Sequence, residues 1–285
     1  MRNKIPSRAH LMIIGAMKCG TTSLYHYLES HPEICGAKTK EPEYFSGFNA
    51  DIPKPGKYED LFDFDPSAHK YAMEGSTGYT KYPSSNALDV PKRIHEYGIR
   101  PKLIYIVRNP FDRVVSHYNA NLKWKKEVTR QHFIETSKYC QQLELFRQYF
   151  PREDLLLLDF NELKKDPRIV LRKAYKFLGL REPVFPDHFK TENKTPSLTE
   201  AEIRIQELGI IPSPAKKIAQ GFVRRFSNTR KYELTQDEKG IIFRALREDM
   251  FKFEDEYKFD VSQWGFVRSS EEAEREDALN CTISC

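Results

Sequence analysis

The chain has 285 residues, 39% hydrophobic and 13% aromatic, which is enough apolar content to bury a large core and argues against global disorder. Its 46 basic and 41 acidic residues leave a formal net charge of +5, a small excess that suits an anionic ligand and is too weak to argue for nucleic acid. Five scattered cysteines (Cys19, Cys35, Cys140, Cys281 and Cys285) are odd in number and lack C-x-x-C spacing, so they indicate neither a disulfide framework nor a zinc site and read as reduced thiols.

The basic N-terminus, MRNKIPSRAH, leads straight into an apolar run too short for a signal peptide or membrane anchor. No later stretch is long enough to span a bilayer, and the expectation is a cytoplasmic enzyme with no membrane partner. Leu11 to Ile14 reads as a buried parallel strand. Gly15 lets the chain turn, and Thr21, Thr22 and Ser23 open a helix carrying Leu24, Tyr25, Tyr27 and Leu28. A strand, a tight loop and a helix N-terminus aim several backbone N–H groups and the positive end of a helix dipole at one point, which suits phosphate or sulfate.

The spacing of Gly15 and Gly20 resembles the start of a Walker A loop, yet Thr21 stands where that motif needs lysine, and the lysine is inside the loop at Lys18. A nucleoside triphosphatase would also want a carboxylate after a second strand to help hold magnesium. The best second strand, Lys102 to Val107, runs instead into Arg108 and Asn109. The loop therefore suits an anion and is poorly equipped for magnesium. Taken alone, it could also be an ordinary strand-to-helix turn with a surface lysine.

Further along, Glu33 to Ala37 is a short strand, and Lys38 to Phe45 alternates charge with aromatics. Residues 48 to 69, rich in proline, aspartate and aromatics, read as irregular structure covering one side of a site. Tyr71 to Tyr79 is a strand entering a glycine turn, Val90 to Tyr97 a helix, and Phe111 to Leu122 a helix with Pro110 near its first turn. Residues 125 to 150 form one or two amphipathic helices. Leu155 to Leu158 is a third buried strand, and Arg168 to Leu178 is a helix closed by Gly179. Beyond Pro183 come a helix from Thr199 to Leu208, a basic irregular stretch, a long helix from Asp237 to Tyr257 and an acidic solvated tail from Ser269. Strands separated by helices predict an α/β fold, one parallel sheet flanked by helices in a single domain over residues 1–268, with the tail at 269–285. Ligands of such sheets sit at the carboxyl ends of the strands, which places the loops after Ile14 and Val107 on one edge.

Arg108 leaves its strand where a guanidinium can make a bidentate contact to phosphate, and Ser116 lies two helical turns on. The plain alternative is that Arg108 pairs with a carboxylate and Ser116 packs. Together, however, GAMKCGTTSLYHYL, KTKEPEYFS and KLIYIVRNPFDRVVSHY resemble in order and spacing the three signatures of sulfotransferases that use 3′-phosphoadenosine 5′-phosphosulfate (PAPS). The segment LLLLDFNELKKDP and the terminal FDVSQW are similar to bacterial members and to the carbohydrate-sulfating branch. The resemblance is strong over residues 11 to 180, thins from there to Trp264, and implies a P-loop-like sheet.

By that resemblance Lys18 is the catalytic lysine, neutralising charge on the departing adenosine 3′,5′-bisphosphate (PAP). Cys19, Gly20, Thr21, Thr22 and Ser23 hold the 5′-phosphate, Arg108 and Ser116 hold the 3′-phosphate, and Lys194 in a late loop reaches a phosphate. No metal is implied. Glu41 occupies the position of the catalytic glutamate of the heparan sulfate branch, with a solvated Lys40–Glu41 surface pair as the alternative. Glu43 and Ser46 depart from that branch, which often has histidine and aspartate there. His69 and His117 are other candidate bases, and Tyr44, Phe45, Phe48 and Tyr79 line a pocket or belong to the core. The expected acceptor is a hydroxyl or amine of a soluble small molecule, with a carbohydrate or oligosaccharide as the alternative. A magnesium-dependent P-loop kinase and a non-catalytic nucleotide-binding module are the competing classes.

Overall fold

The computed structural model describes residues 5–48, 56–124, 130–181, 184–189 and 233–268. Five strands form one sheet: β1 (His10–Gly15), β2 (Ile34–Gly36), β3 (Tyr71–Gly75), β4 (Lys102–Val107) and β5 (Leu155–Asp159), in the order β2-β3-β1-β4-β5. All neighbours are parallel, in registers such as Met12 with Glu74, Ile13 with Ile104 and Ile106 with Leu158. β1 is buried along its whole length, which is why its sequence is a continuous apolar run rather than an alternation.

Helices lie between the strands, α1 (Thr21–Glu29), α2 (Ser85–Leu88), α3 (Val90–Tyr97), α4 (Pro110–Trp124), α5 (Arg130–Glu135) and α6 (Tyr139–Arg147), and after the last one, α7 (Phe160–Lys165), α8 (Pro167–Leu178) and α9 (Gln236–Tyr257). Their ends follow local chemistry. Asp159 and Asp166 accept from Asn161 N–H and Arg168 N–H to start α7 and α8, Gly179 closes α8 at φ 60°, and Thr235 with Glu238 makes a capping box for α9. Asp249, on α9, accepts from the N–H groups of Cys140 and Gln141 at 3.1 and 2.9 Å, so the last helix caps the start of α6. Among the described residues no helix is long and apolar enough to cross a membrane.

From β1 the chain moves to one side of the sheet for β2 and β3, then crosses to the other side for β4 and β5. The strand order thus reverses about β1, and the crevice beyond the carboxyl ends of β1 and β4 is where such sheets bind ligands. The helix expected at Thr199 to Leu208 and the acidic tail lie outside the described residues.

Candidate active site

Gly15 ends β1 where a side chain has no room: a Cβ would stand 2.8 Å from the Tyr105 ring and would also collide with Thr80 Oγ1. Ala16 N–H donates to the Ile106 carbonyl and Cys19 N–H to the Ala16 carbonyl, which folds the loop back over β4. Lys18 then takes a left-handed backbone at φ 70°, and Gly20 follows at φ 87° as the N-cap of α1. This N-cap makes no side-chain cap and the first turn of α1 holds no acidic residue, an arrangement that suits an anion at the leading N–H groups. Thr21 and Ser23 are buried in this turn. Cys19 departs from its expected role: its N–H serves the Ala16 carbonyl and its side chain is buried beside Tyr139, where burial pushes the thiol up to about 11. Cys19 shapes the loop.

The second loop reaches the first. Arg108 Nη1 donates to the Lys18 carbonyl at 3.3 Å, its guanidinium stacks 4.8 Å from the centre of the Phe160 ring, and Nη2 stands 3.8 Å from Asp112. Its Nε is buried and has no hydrogen-bond partner among the described residues. Ser116 is half-buried on α4, and no hydrogen bond ties its hydroxyl to Arg108 among the described residues. An uncapped helix start, an orphaned guanidinium N–H and a hydroxyl within two turns fit a ligand with two separated phosphates. Tyr139 locks the arrangement, its hydroxyl donating to the Arg108 carbonyl at 2.6 Å and lying 3.8 Å from Cys19 Sγ. Phe160 supports both loops, because a Cβ on Gly20 would meet its ring at 2.8 Å.

The third motif docks on the first through a residue that short-range reading treats as surface. Lys40 Nζ donates to Thr22 Oγ1 at 2.8 Å and to Glu41 Oε1 at 3.2 Å, bridging the two segments. Glu41, like Lys18, has a left-handed backbone, at φ 53°. Glu43 is turned inward. It is buried, its carboxylate accepts from Gly78 N–H at 2.8 Å and from the Ser46 hydroxyl, and its own N–H donates to Ser76 Oγ. Ser76 donates at 2.5 Å to Glu74, which is also buried and accepts from the Tyr79 and Tyr58 hydroxyls. Burial pushes both Glu43 and Glu74 up to about 7.

The aromatics and histidines resolve in the same way. Phe45 and Tyr79 belong to the core, Tyr44 packs against it, and Phe48 is half-buried under Lys81 Nζ at 5.1 Å. His69 accepts from Asp65 N–H in an exposed turn. His117 is buried against Phe133, and burial followed by the Arg113 charge holds it far below the usual range, so neither histidine is placed as a base. Lys194 lies outside the described residues. Sequence carries no signal for Glu74, Tyr139 and Phe160, because each is defined by a partner on another element, and it offers Lys40 only as a surface partner of Glu41.

A family model described as a sulfotransferase domain matches residues 8–195. The heparan sulfate glucosamine 3-O-sulfotransferase 6 of Homo sapiens is 27% identical over 257 residues, covering 80% of this chain and 72% of that protein. The 3-O-sulfotransferase 3A1 of Mus musculus is 28% identical over 197 residues, 62% of this chain and 47% of that protein. The bifunctional heparan sulfate N-deacetylase/N-sulfotransferase 4 of Mus musculus is 27% identical over 205 residues, 59% of this chain and 22% of that protein. This chain thus spans less than half the length of the last two. A sulfotransferase from Alicyclobacillus acidocaldarius shares the fold, with a TM-score of 0.64 at 21% identity over 90% of this chain and 98% of that one. The chain belongs to the sulfotransferase family, and the domain it carries is that of a sulfate-transferring enzyme.

Proposed function

We propose that this chain transfers a sulfuryl group from PAPS to a hydroxyl or amine of a carbohydrate. The observation that carries the donor side is the junction of two cation-bearing loops at the switch point of the sheet, where Arg108 meets the Lys18 carbonyl with its own Nε unpartnered. The acceptor class rests on the relatives, which are named for action on heparan sulfate. A soluble small molecule, the acceptor expected from sequence, is the other class to screen.

PAPS supplies an activated sulfuryl group on a phosphate leaving group. In this reading the N–H groups of residues 20–23 hold the 5′-phosphate, while Arg108 and Ser116 hold the 3′-phosphate. Lys194 is a proposed further phosphate contact. Glu41 takes the proton of the acceptor as its oxygen or nitrogen bonds to sulfur. Lys18 stabilises the charge that passes to the 5′-phosphate oxygen as the sulfur–oxygen bond breaks, releasing PAP. Lys40 holds the Glu41 carboxylate against the donor loop through Thr22.

Incubation with labelled PAPS and a panel of sugars, oligosaccharides and small hydroxylated or amino compounds tests the reading, with added sulfate read by mass spectrometry. Sulfation of sugars is the expected result, and sulfation confined to small non-sugar compounds overturns the acceptor class. Stabilisation by magnesium–ATP together with indifference to PAP would sink the donor assignment and favour a kinase.

A further inference from the structure

Arg113 lies in the first turn of α4 and is fully buried. A buried arginine is ordinarily paired with a carboxylate, because stripping water from an ion costs several kcal/mol. Among the described residues Arg113 makes no ion pair. Its N–H groups meet neutral acceptors instead: Nε donates to Ser137 Oγ at 2.7 Å, Nη2 to Thr136 Oγ1 at 2.9 Å and to the Phe133 carbonyl, and Nη1 to the Met17 carbonyl and His117 Nδ1, both at 3.4 Å. A guanidinium accepts nothing, so His117 Nδ1 carries a lone pair and the ring is neutral. The ionisable groups acting most strongly on Arg113 are Tyr139, Cys19 and Tyr105, which burial keeps protonated, and Arg108, a second cation; His132, which also feels Arg113, is held by burial below its ordinary range. Among the described residues the hydrogen bonds of Arg113 are satisfied and its charge meets no carboxylate.

That charge stands directly behind the donor loop. Arg113 binds the carbonyl of Met17 and Arg108 binds the carbonyl of Lys18, so two consecutive carbonyls of the loop face guanidinium groups. We propose that the counter-charge of Arg113 is the donor itself: the guanidinium is a positioning residue whose buried charge, held behind the Met17–Lys18 segment, favours binding of the anionic end of PAPS without touching it. This rests on the donor reading above and adds to it a residue that no contact with the ligand would reveal. A field from behind the loop acts in low dielectric, where it is screened less than a surface charge.

The test is titration of the full chain with PAP and, as a neutral probe of the same nucleoside, with adenosine, in the wild type, Arg113→Gln and Arg113→Met. Arg113→Gln should lose about tenfold or more in PAP affinity, about 1.4 kcal/mol, while adenosine affinity changes by less than about twofold. Arg113→Met, which fills similar space without a charge, should show the same selective loss of PAP affinity. Equal PAP affinity in Arg113→Gln and wild type, or a proportional loss of both ligands, overturns the inference. Should Arg113→Gln fail to fold, a folded Arg113→Met that keeps the wild-type preference for PAP over adenosine overturns it. Failure of the wild-type chain to bind PAP sinks the donor reading, and this inference with it.

Discussion

Lys18 and Glu41 share a backbone feature that neither side chain explains: both are non-glycine residues with positive φ, at 70° and 53°. Such conformations cost on the order of 1–3 kcal/mol and persist where the surroundings enforce them, often at functional sites. If the two residues have the proposed roles, Lys18→Ala should lower kcat by about 10²–10³, the scale of one electrostatic contact to the transition state. Glu41→Gln should lower kcat by about 10²–10⁴ while PAP affinity, read by titration, is unchanged. A Glu41→Gln variant with wild-type turnover would return Glu41 to a surface pair. Glu43 and Glu74 behave differently. Burial raises both carboxyls from an ordinary 4.5 to about 7, so the native state binds their protons more tightly than the unfolded chain does. Their contribution to stability is complete below about pH 4.5 and falls as pH rises to about 7. Glu43→Gln should flatten that part of the stability–pH profile, measured by denaturant unfolding across the range; an unchanged slope would show that Glu43 does not titrate there.

The joint between α9 and α6 is made by one side chain. Asp249 offers its carboxylate to two N–H groups at the start of α6, and burial pushes it up to about 6. Arg108's backbone is held by Tyr139, the first residue of α6, so this joint lies one residue from the anion site. Asp249→Ala leaves two buried donors unpaired and should destabilise the fold by about 1–3 kcal/mol, read from chemical denaturation. The elements themselves were largely readable. β1, β4 and β5 are short apolar runs bounded by turn residues, and α3, α4, α8 and α9 show an apolar face with caps close to the expected ends. α7 was not anticipated, because six residues carry too little periodicity to stand out from the loop after β5.

Across the molecule, the donor loops come from segments separated by about ninety residues and meet only because β1 and β4 are neighbours in the sheet. A ligand that binds both should therefore stabilise the fold globally: at a hundred times its Kd, PAP should add about 2.7 kcal/mol. Thermal unfolding of the wild-type chain should show Tm rising with PAP concentration and the shift shrinking at high salt. No dependence on PAP would count against the site.

What the sequence determined by itself was chemistry set within a few residues: a strand ending in glycine, a lysine inside the loop, an arginine where a strand meets a helix, and a glutamate in EPEYF. These follow from backbone and spacing, which neighbouring residues dictate. Only the tertiary structure decided which charges are buried and what they meet. It put Glu43 into a buried network with Glu74, turned Lys40 from a surface residue into the bridge between Thr22 and Glu41, and enclosed Arg113 behind the donor loop. The physical reason is that desolvation and pairing depend on packing between distant segments, and the same local pattern is compatible with a solvated side chain or a buried one.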